Sequence, residues 1–414
     1  MITEFFESQF RIIQLRGGQD GQLLDVFAEE LRQSGFAQIT ARRHIRTAEH
    51  LLYWAKRKSI SPATFDEHTL DEFTHHLRRC RCKSYGSTQR DLQKGARLFV
   101  SSLRRAELLP MPSHQGTVED PQVLVLFRDW MHKHRGTCDA TLYNYGLHLR
   151  ALLKTVGDDT NKFEAQSLRQ FVQETSQHCG WATGKQCTTA IRAFLRYLIA
   201  EGQCAAGLDA CIPVLAHWRL SSLPRYLQPD EVERVIASCS ATSSAGIRDR
   251  AIVLLLARIG LRAGDILRLC LSDLDWKEAT IRVVGKGRRQ TLLPMTQEVG
   301  DAIVGYIKNG RHPIDHDTLF IRSRAPFGAF ASHCAISVIV ARAMRRAGVR
   351  CPSRGAAHVL RHSLATSMLR QGASLQEIAG VLRHRSIATT EIYAKVDVVA
   401  LREIAQPWPE VTPC

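Results

Sequence analysis

Near the C-terminus of this chain, His358-Val359-Leu360-Arg361-His362 is followed by Leu382-Arg383-His384 and then by Thr389-Thr390-Glu391-Ile392-Tyr393. Arg361 offers planar, bidentate donors that suit a phosphate, the histidines exchange protons near neutrality, and a tyrosine hydroxyl can act as an oxygen nucleophile. Together these groups suit phosphoryl transfer on a nucleic acid. A lone tyrosine is far more often a core or surface residue, so the reading rests on the set.

Two more groups lie upstream. In Gly260-Leu261-Arg262-Ala263-Gly264-Asp265, Arg262 stands at a tight turn between a core helix and the helix that follows. An arginine there is well held for an anion, and Asp265, three residues on, can pair with it and fix its rotamer. Further along, Thr280-Ile281-Arg282-Val283-Val284 and Gln290-Thr291-Leu292-Leu293-Pro294 flank Gly285-Lys286-Gly287-Arg288-Arg289. Two β-rich runs around a glycine-containing turn describe a hairpin with Lys286 near its tip as a mobile donor. Arg288 and Arg289 read as phosphate contacts.

The elements that must carry these groups follow from periodicity. His358 and Arg361, three apart, share a helix face, while Leu360, Leu364 and Met368 bury the other. Ser374 and Glu377 form a capping-box pattern for a helix from Leu375 to Leu382, which delivers His384. Ala251 to Ile259 is almost wholly apolar, a buried core helix ending at Gly260.

The N-terminal half reads as helices throughout. Leu24, Phe27, Ala28 and Leu31 form one amphipathic segment, and Ile45, Ala48, Leu51, Leu52 and Trp54 a longer one after Thr40. Two more surround Leu70-Phe73-Leu77 and Leu92-Leu98-Phe99-Leu103. The series then recurs, with Thr40 answered by Thr141, Leu70 by Leu168 and Phe99 by Phe194. Basic positions such as Arg42-Arg43, Arg78 to Lys83 and Lys185 suit DNA backbone contacts, although a solvated face explains any single one as well. Pro110-Met111-Pro112-Ser113 breaks helix and reads as a linker, and a second linker runs from Ala205 to Leu223. The domains expected are therefore 1–112, 113–222 and 223–414.

Composition agrees with a nucleic-acid partner. The chain has 414 residues, 56 Lys plus Arg against 40 Asp plus Glu, and a formal charge of +16. Such a surface attracts a polyanion and binds it in a salt-dependent way. No apolar run approaches the roughly 20 residues that span a bilayer, and no signal-peptide layout opens the chain, so a cytoplasmic, nucleoid-associated protein with no membrane partner is expected. The 12 cysteines are scattered without paired C-x-x-C spacing. His75-His76 with Cys80 and Cys82 invites a metal but lacks a second ligand pair at a familiar distance, so neither disulfide nor metal is expected to hold the fold.

With these residues in place, the sequence resembles the tyrosine recombinase, or phage integrase, family. The family's Gly-Leu-Arg, hairpin lysine, His-x-x-Arg, second histidine and nucleophilic tyrosine are matched in order by Arg262, Lys286, His358, Arg361, His384 and Tyr393. One departure is Leu382-Arg383-His384, where many members have Leu-Gly-His; Arg383 can instead add a phosphate contact. The resemblance implies a mainly α fold with a small β-sheet (α+β) in a C-terminal catalytic domain. Before it would come all-α, SAM-like core-binding domains, here in two copies.

The implied reaction is attack of Tyr393 on a DNA phosphate, giving a 3'-phosphotyrosine and a free 5'-hydroxyl without cofactor, metal or ATP. Arg262 and Arg361 would hold the non-bridging oxygens, Lys286 would protonate the leaving oxygen, His358 would assist proton transfer, and His384 would donate to the phosphate. The implied partners are double-stranded recombination sites, a tetramer of this chain across two sites, and companion recombinases from the same mobile element. The tail from Val398 to Ile404, with Trp408, suits docking either on a neighbouring subunit, as family members commonly do, or back on its own. A type IB topoisomerase shares the chemistry, but a duplicated helical clamp favours strand exchange. A non-catalytic DNA-binding regulator would show decay among the matched positions, and a metal-dependent nuclease would need clustered carboxylates; neither feature is seen.

Overall fold

The computed structural model describes residues 2–17, 20–80, 88–110, 120–216, 223–285, 290–384 and 386–396. The chain is mainly helical with one small sheet, and it divides into two compact units, Met1–Met111 with Ser222–Cys414, and Pro112–Ser221.

The first helices are α1 (Ile2–Phe5), α2 (Gln9–Arg16), α3 (Gly21–Gln33), α4 (Gln38–Arg57), α5 (Glu67–Arg79) and α6 (Gln89–Arg105). The apolar stripes of α3 to α6 converge on a core built around Phe27, Ile45, Leu51, Phe73 and Phe99. Phe27 meets Phe99 edge to face at 5.2 Å, the arrangement in which a ring edge meets the negative face of its neighbour. Asp66 caps α5 by accepting from the Thr69 N–H at 2.8 Å, and Thr88 caps α6. Periodicity does not reveal α1 and α2: they are short, yet Ile2, Phe5, Phe6 and Leu15 are buried in the same core.

The second unit holds α7 (Gln122–Arg135), α8 (Asp139–Val156), α9 (Ala165–His178) and α10 (Trp181–Ala200). Its core gathers Phe127, Leu149, Leu168, Phe171 and Phe194, and Phe127 meets Phe194 edge to face at 5.3 Å. A three-residue 3-10 turn precedes α9 (Thr160–Lys162), as one precedes α5 (Pro62–Thr64). The two bundles thus share their element order and an aromatic pair at matching places.

The C-terminal part comprises α11 (Pro229–Ala237), α12 (Ser244–Arg258), α13 (Ala263–Arg268), strands β1 (Leu274–Asp275), β2 (Thr280–Val284) and β3 (Gln290–Pro294), then α14 (Gln297–Asn309), α15 (Cys334–Arg346), α16 (Ala356–Arg370) and α17 (Leu375–Leu382). Two 3-10 turns follow, Ile387–Thr389 and Glu391–Val396. Ala251 to Ala257 are buried on every side, so α12 is the central helix, as an all-apolar run requires. The sheet is antiparallel in the order β1-β2-β3, with Thr280 opposite Pro294 and Val284 opposite Gln290. Ser374 caps α17: its Oγ accepts from the Glu377 N–H at 3.2 Å, and Glu377 accepts from the Ser374 N–H at 2.7 Å.

Candidate active site

Gly260 sets the geometry at the end of α12. Its φ is +67°, and a Cβ there would lie 2.9 Å from Leu364 and Leu382 side-chain carbons, so glycine alone fits without strain. The turn puts Arg262 at the N-cap of α13, where its N–H donates to Asp265 at 3.2 Å. The Arg262 guanidinium donates to the Arg383 carbonyl at 3.2 Å and to that of Leu382 at 3.5 Å. Arg361, only 4% exposed, donates from Nη1 to the Gly260 carbonyl and from Nη2 to the Leu382 carbonyl. The arginine heads therefore gather on the carbonyl end of α17, the negative pole of its dipole.

Asp265 is the acidic hub. Arg383 Nη2 donates to it at 2.7 Å and Arg268 at 3.2 Å, while the nearest Arg262 side-chain nitrogen stands 4.0 Å away. The Arg383 and Asp265 side chains are 9% and 3% exposed. Three arginines around one carboxylate leave a net positive centre. Burial, with Arg262 and Arg383 nearby, lowers the Arg361 pKa to about 10, which still leaves it charged at neutral pH. Burial likewise lowers that of Arg262, partly offset by Asp265.

These residues open onto a cleft of about 710 Å³, lined by Arg262, Asp265, His358, Arg383 and His384, with His333, Gly285 and Thr291. His358 stands open to solvent on its rim, yet desolvation by the cleft walls and then the charge of Arg361 and Arg262 lower its pKa. His384 Nδ1 meets the Thr390 hydroxyl at 2.8 Å. Burial, then Arg361 and Arg262, pull His384 down to about 4. In both rings the neutral form is favoured at pH 7.

Tyr393 does not line the cleft. It is 1% exposed and packs with Ala365, Ile378 and Leu382. Its hydroxyl meets His362 Nδ1 at 2.8 Å, and burial pushes its pKa up to about 12. His362 is itself lowered to about 4 by burial and by His358 and Arg361, so it is a neutral partner. His358, Arg361 and His362 share one face of α16, so the tyrosine hydroxyl sits one turn from the cleft histidine.

Of the residues singled out in sequence, Arg262, Asp265, His358, Arg383 and His384 line one cleft, with Arg361 bonded to the same carbonyl group as Arg262. Tyr393 stands apart from it. Lys286, Arg288 and Arg289 lie outside the described residues, as does the tail after residue 396; strands β2 and β3 bracket the lysine, and Gly285 and Thr291 at that end of the hairpin reach the cleft. Spacing alone singles out neither His362 nor Thr390. Their signal was proximity: each is a hydrogen-bonding residue within the motif segments themselves.

Residues 225–399 match the model described as the phage integrase family. The chain is 34% identical to "Putative integrase/recombinase y4rA" of Sinorhizobium fredii, over 92% of this chain and 93% of that protein. It belongs to the phage integrase family of tyrosine recombinases. It is accordingly an enzyme, and the general reaction of its family is the breaking and rejoining of DNA strands. The tyrosine recombinase XerD of Halalkalibacterium halodurans is 27% identical over 67% of this chain and 94% of its own length. Among solved structures, the XerH site-specific recombinase in a post-cleavage complex with palindromic difH has the same fold, with a TM-score of 0.54, 20% identity, and 68% and 83% of the two chains covered. A lambda integrase dimer bound to a COC' core site has a TM-score of 0.52 at 16% identity, covering 70% and 98%. No helix among the described residues is long and apolar enough to cross a membrane.

Proposed function

We propose that this recombinase acts site-specifically for a mobile element, integrating or transposing it through a 3'-phosphotyrosine formed by Tyr393. The observation that carries this reading is the cleft lined by Arg262, His358, Arg383 and His384, with a tyrosine hydroxyl one helical turn away. Such a cleft suits an anion, and the anion it takes is a DNA phosphate.

Arg262, Arg361 and His384 hold the non-bridging oxygens and neutralise charge developing at phosphorus. With the Thr390 hydroxyl donating to Nδ1, His384 carries its proton on Nε2 and donates it to the phosphate. Arg383 takes the place of the family's glycine and lines the cleft wall, where it adds positive charge beside the phosphate. Lys286 protonates the departing 5'-oxygen and His358 assists proton transfer with the tyrosine. Burial disfavours forming a phenolate where Tyr393 now sits. The hydroxyl therefore leaves His362 to react.

The two N-terminal bundles, residues 1–112 and 113–222, clamp the duplex as duplicated core-binding domains. Four copies, alone or with companion recombinases, join two sites. The relatives' names, putative integrase/recombinase, support the integrase part of this reading.

Nicked duplexes built from the DNA ends that flank the gene test the reading. Wild type should give a covalent adduct on a denaturing gel, and Tyr393→Phe none. Equal absence of adduct in both refutes it.

A further inference from the structure

A second cluster lies far from this chemistry in the chain, on the first bundle. His50 sits on α4, His76 on the last turn of α5, and Cys80 immediately after α5. His50 Nε2 lies 3.2 Å from His76 Nε2 and 3.5 Å from Cys80 Sγ, and all three ligand atoms fall within 4.8 Å of one another. All three residues are half-buried.

Hydrogen bonding explains this only in part. A neutral imidazole nitrogen carries either one proton or one lone pair, so His50 Nε2 can serve one of its two neighbours well. A cation between them serves all three. Tetrahedral zinc, with bonds of about 2.0–2.1 Å to nitrogen and about 2.3 Å to sulfur, sets N···N edges of about 3.3 Å and N···S edges of about 3.5 Å. The observed separations of 3.2 and 3.5 Å match those edges.

The surroundings hold the ligands ready. His50 and His76 are both pushed below their ordinary pKa, first by burial, so both present lone pairs at neutral pH. Their rings are fixed by packing: His50 against Phe73 at 5.3 Å, and His76 stacked on Trp54 at 6.0 Å. Opposing the site are Arg57 and Lys58, whose charge also bears on His76. A thiolate from Cys80 offsets that charge, and soft sulfur with two imidazoles selects zinc-like ions over magnesium or calcium.

We propose that His50, His76 and Cys80 form a three-ligand site for zinc, with water completing the tetrahedron. The metal fastens the end of α5 to α4, and it takes no part in strand cleavage.

The test titrates cobalt(II) into untagged, chelator-treated full-length protein. One equivalent should produce a thiolate-to-cobalt charge-transfer band with tetrahedral visible bands, and one equivalent of zinc should abolish them. Cys80→Ser should remove the charge-transfer band, while His50→Asn and His76→Asn should each weaken binding at least tenfold. Circular dichroism confirms that each variant is folded, and Cys138→Ser, at an exposed cysteine, should leave the spectrum unchanged. The proposal is overturned if no such band appears in the wild type, or if the band persists in folded Cys80→Ser; the histidines are then a hydrogen-bonded pair beside a thiol. Since the readout is metal spectroscopy and not DNA cleavage, it stands apart from the recombination assay.

Discussion

Arg383 occupies a backbone conformation that favours glycine, with φ 55° and ψ 47°, and replacing it by glycine sets two effects against each other. A non-glycine residue in the left-handed region costs about 1–2 kcal/mol, which Arg383→Gly recovers. The same change removes a 2.7 Å ion pair with Asp265, whose partners are 9% and 3% exposed. Breaking a buried pair from one side costs about 3–5 kcal/mol. Asp265 keeps Arg268 at 3.2 Å and the Arg262 N–H at 3.2 Å, so the lower end, about 3 kcal/mol, applies. The expected net is a loss of about 1–2 kcal/mol, even though glycine is the better residue for the turn. Thermal and urea unfolding of the full chain measure it, together with Asp265→Asn and the double variant. If the pair is the source, the two changes couple by about 1 kcal/mol or more, because the second removes nothing the first has not already broken. A gain in stability for Arg383→Gly, or strict additivity with Asp265→Asn, would refute the reasoning.

Other outcomes follow from the same geometry. His362 and His384 fold with pKa values near 4 against an ordinary 6.5, so the unfolded chain binds the extra protons; stability is complete above about pH 6.5 and is lost as pH falls towards about 4, which urea unfolding at a series of pH values reads directly. Gly260→Ala combines left-handed strain with a Cβ driven into Leu364 and Leu382 and should cost about 2–4 kcal/mol in the same unfolding assay. Thr390→Val removes the hydroxyl that meets His384 Nδ1; adduct formation should slow at least tenfold, with DNA affinity in a gel-shift assay unchanged.

Much of this architecture is legible in the sequence because single elements carry it. The apolar run 251–257 forms α12, the β-rich runs pair as β2 and β3, and Ser374 with Glu377 closes its capping box. What stays hidden depends on partners distant in the chain. The sequence shows His75-His76 and Cys80 as neighbours, but the nitrogen that meets His76 and Cys80 belongs to His50 on another helix. Asp265 is placed beside Arg262 by spacing, whereas its shortest ion pair comes from Arg383, 118 positions away. The two residues of β1 are too few to show a period, and α1 and α2 are too short to show a stripe. The nucleophile role proposed for Tyr393 rests on resemblance, and its burial against α16 and α17 is a matter of tertiary packing.

The segment that bears Tyr393 also bears Thr390, and each grips a different histidine: Tyr393 holds His362, Thr390 holds His384. Three residues apart on so short a piece of chain, the two grips behave as a two-pin latch. Freeing the tyrosine for the cleft needs only the His362 pin to open, so His384 keeps its threonine, and its orientation, while the tyrosine moves. A copy with its latch shut, drifting over DNA that is not its target, has no blade exposed.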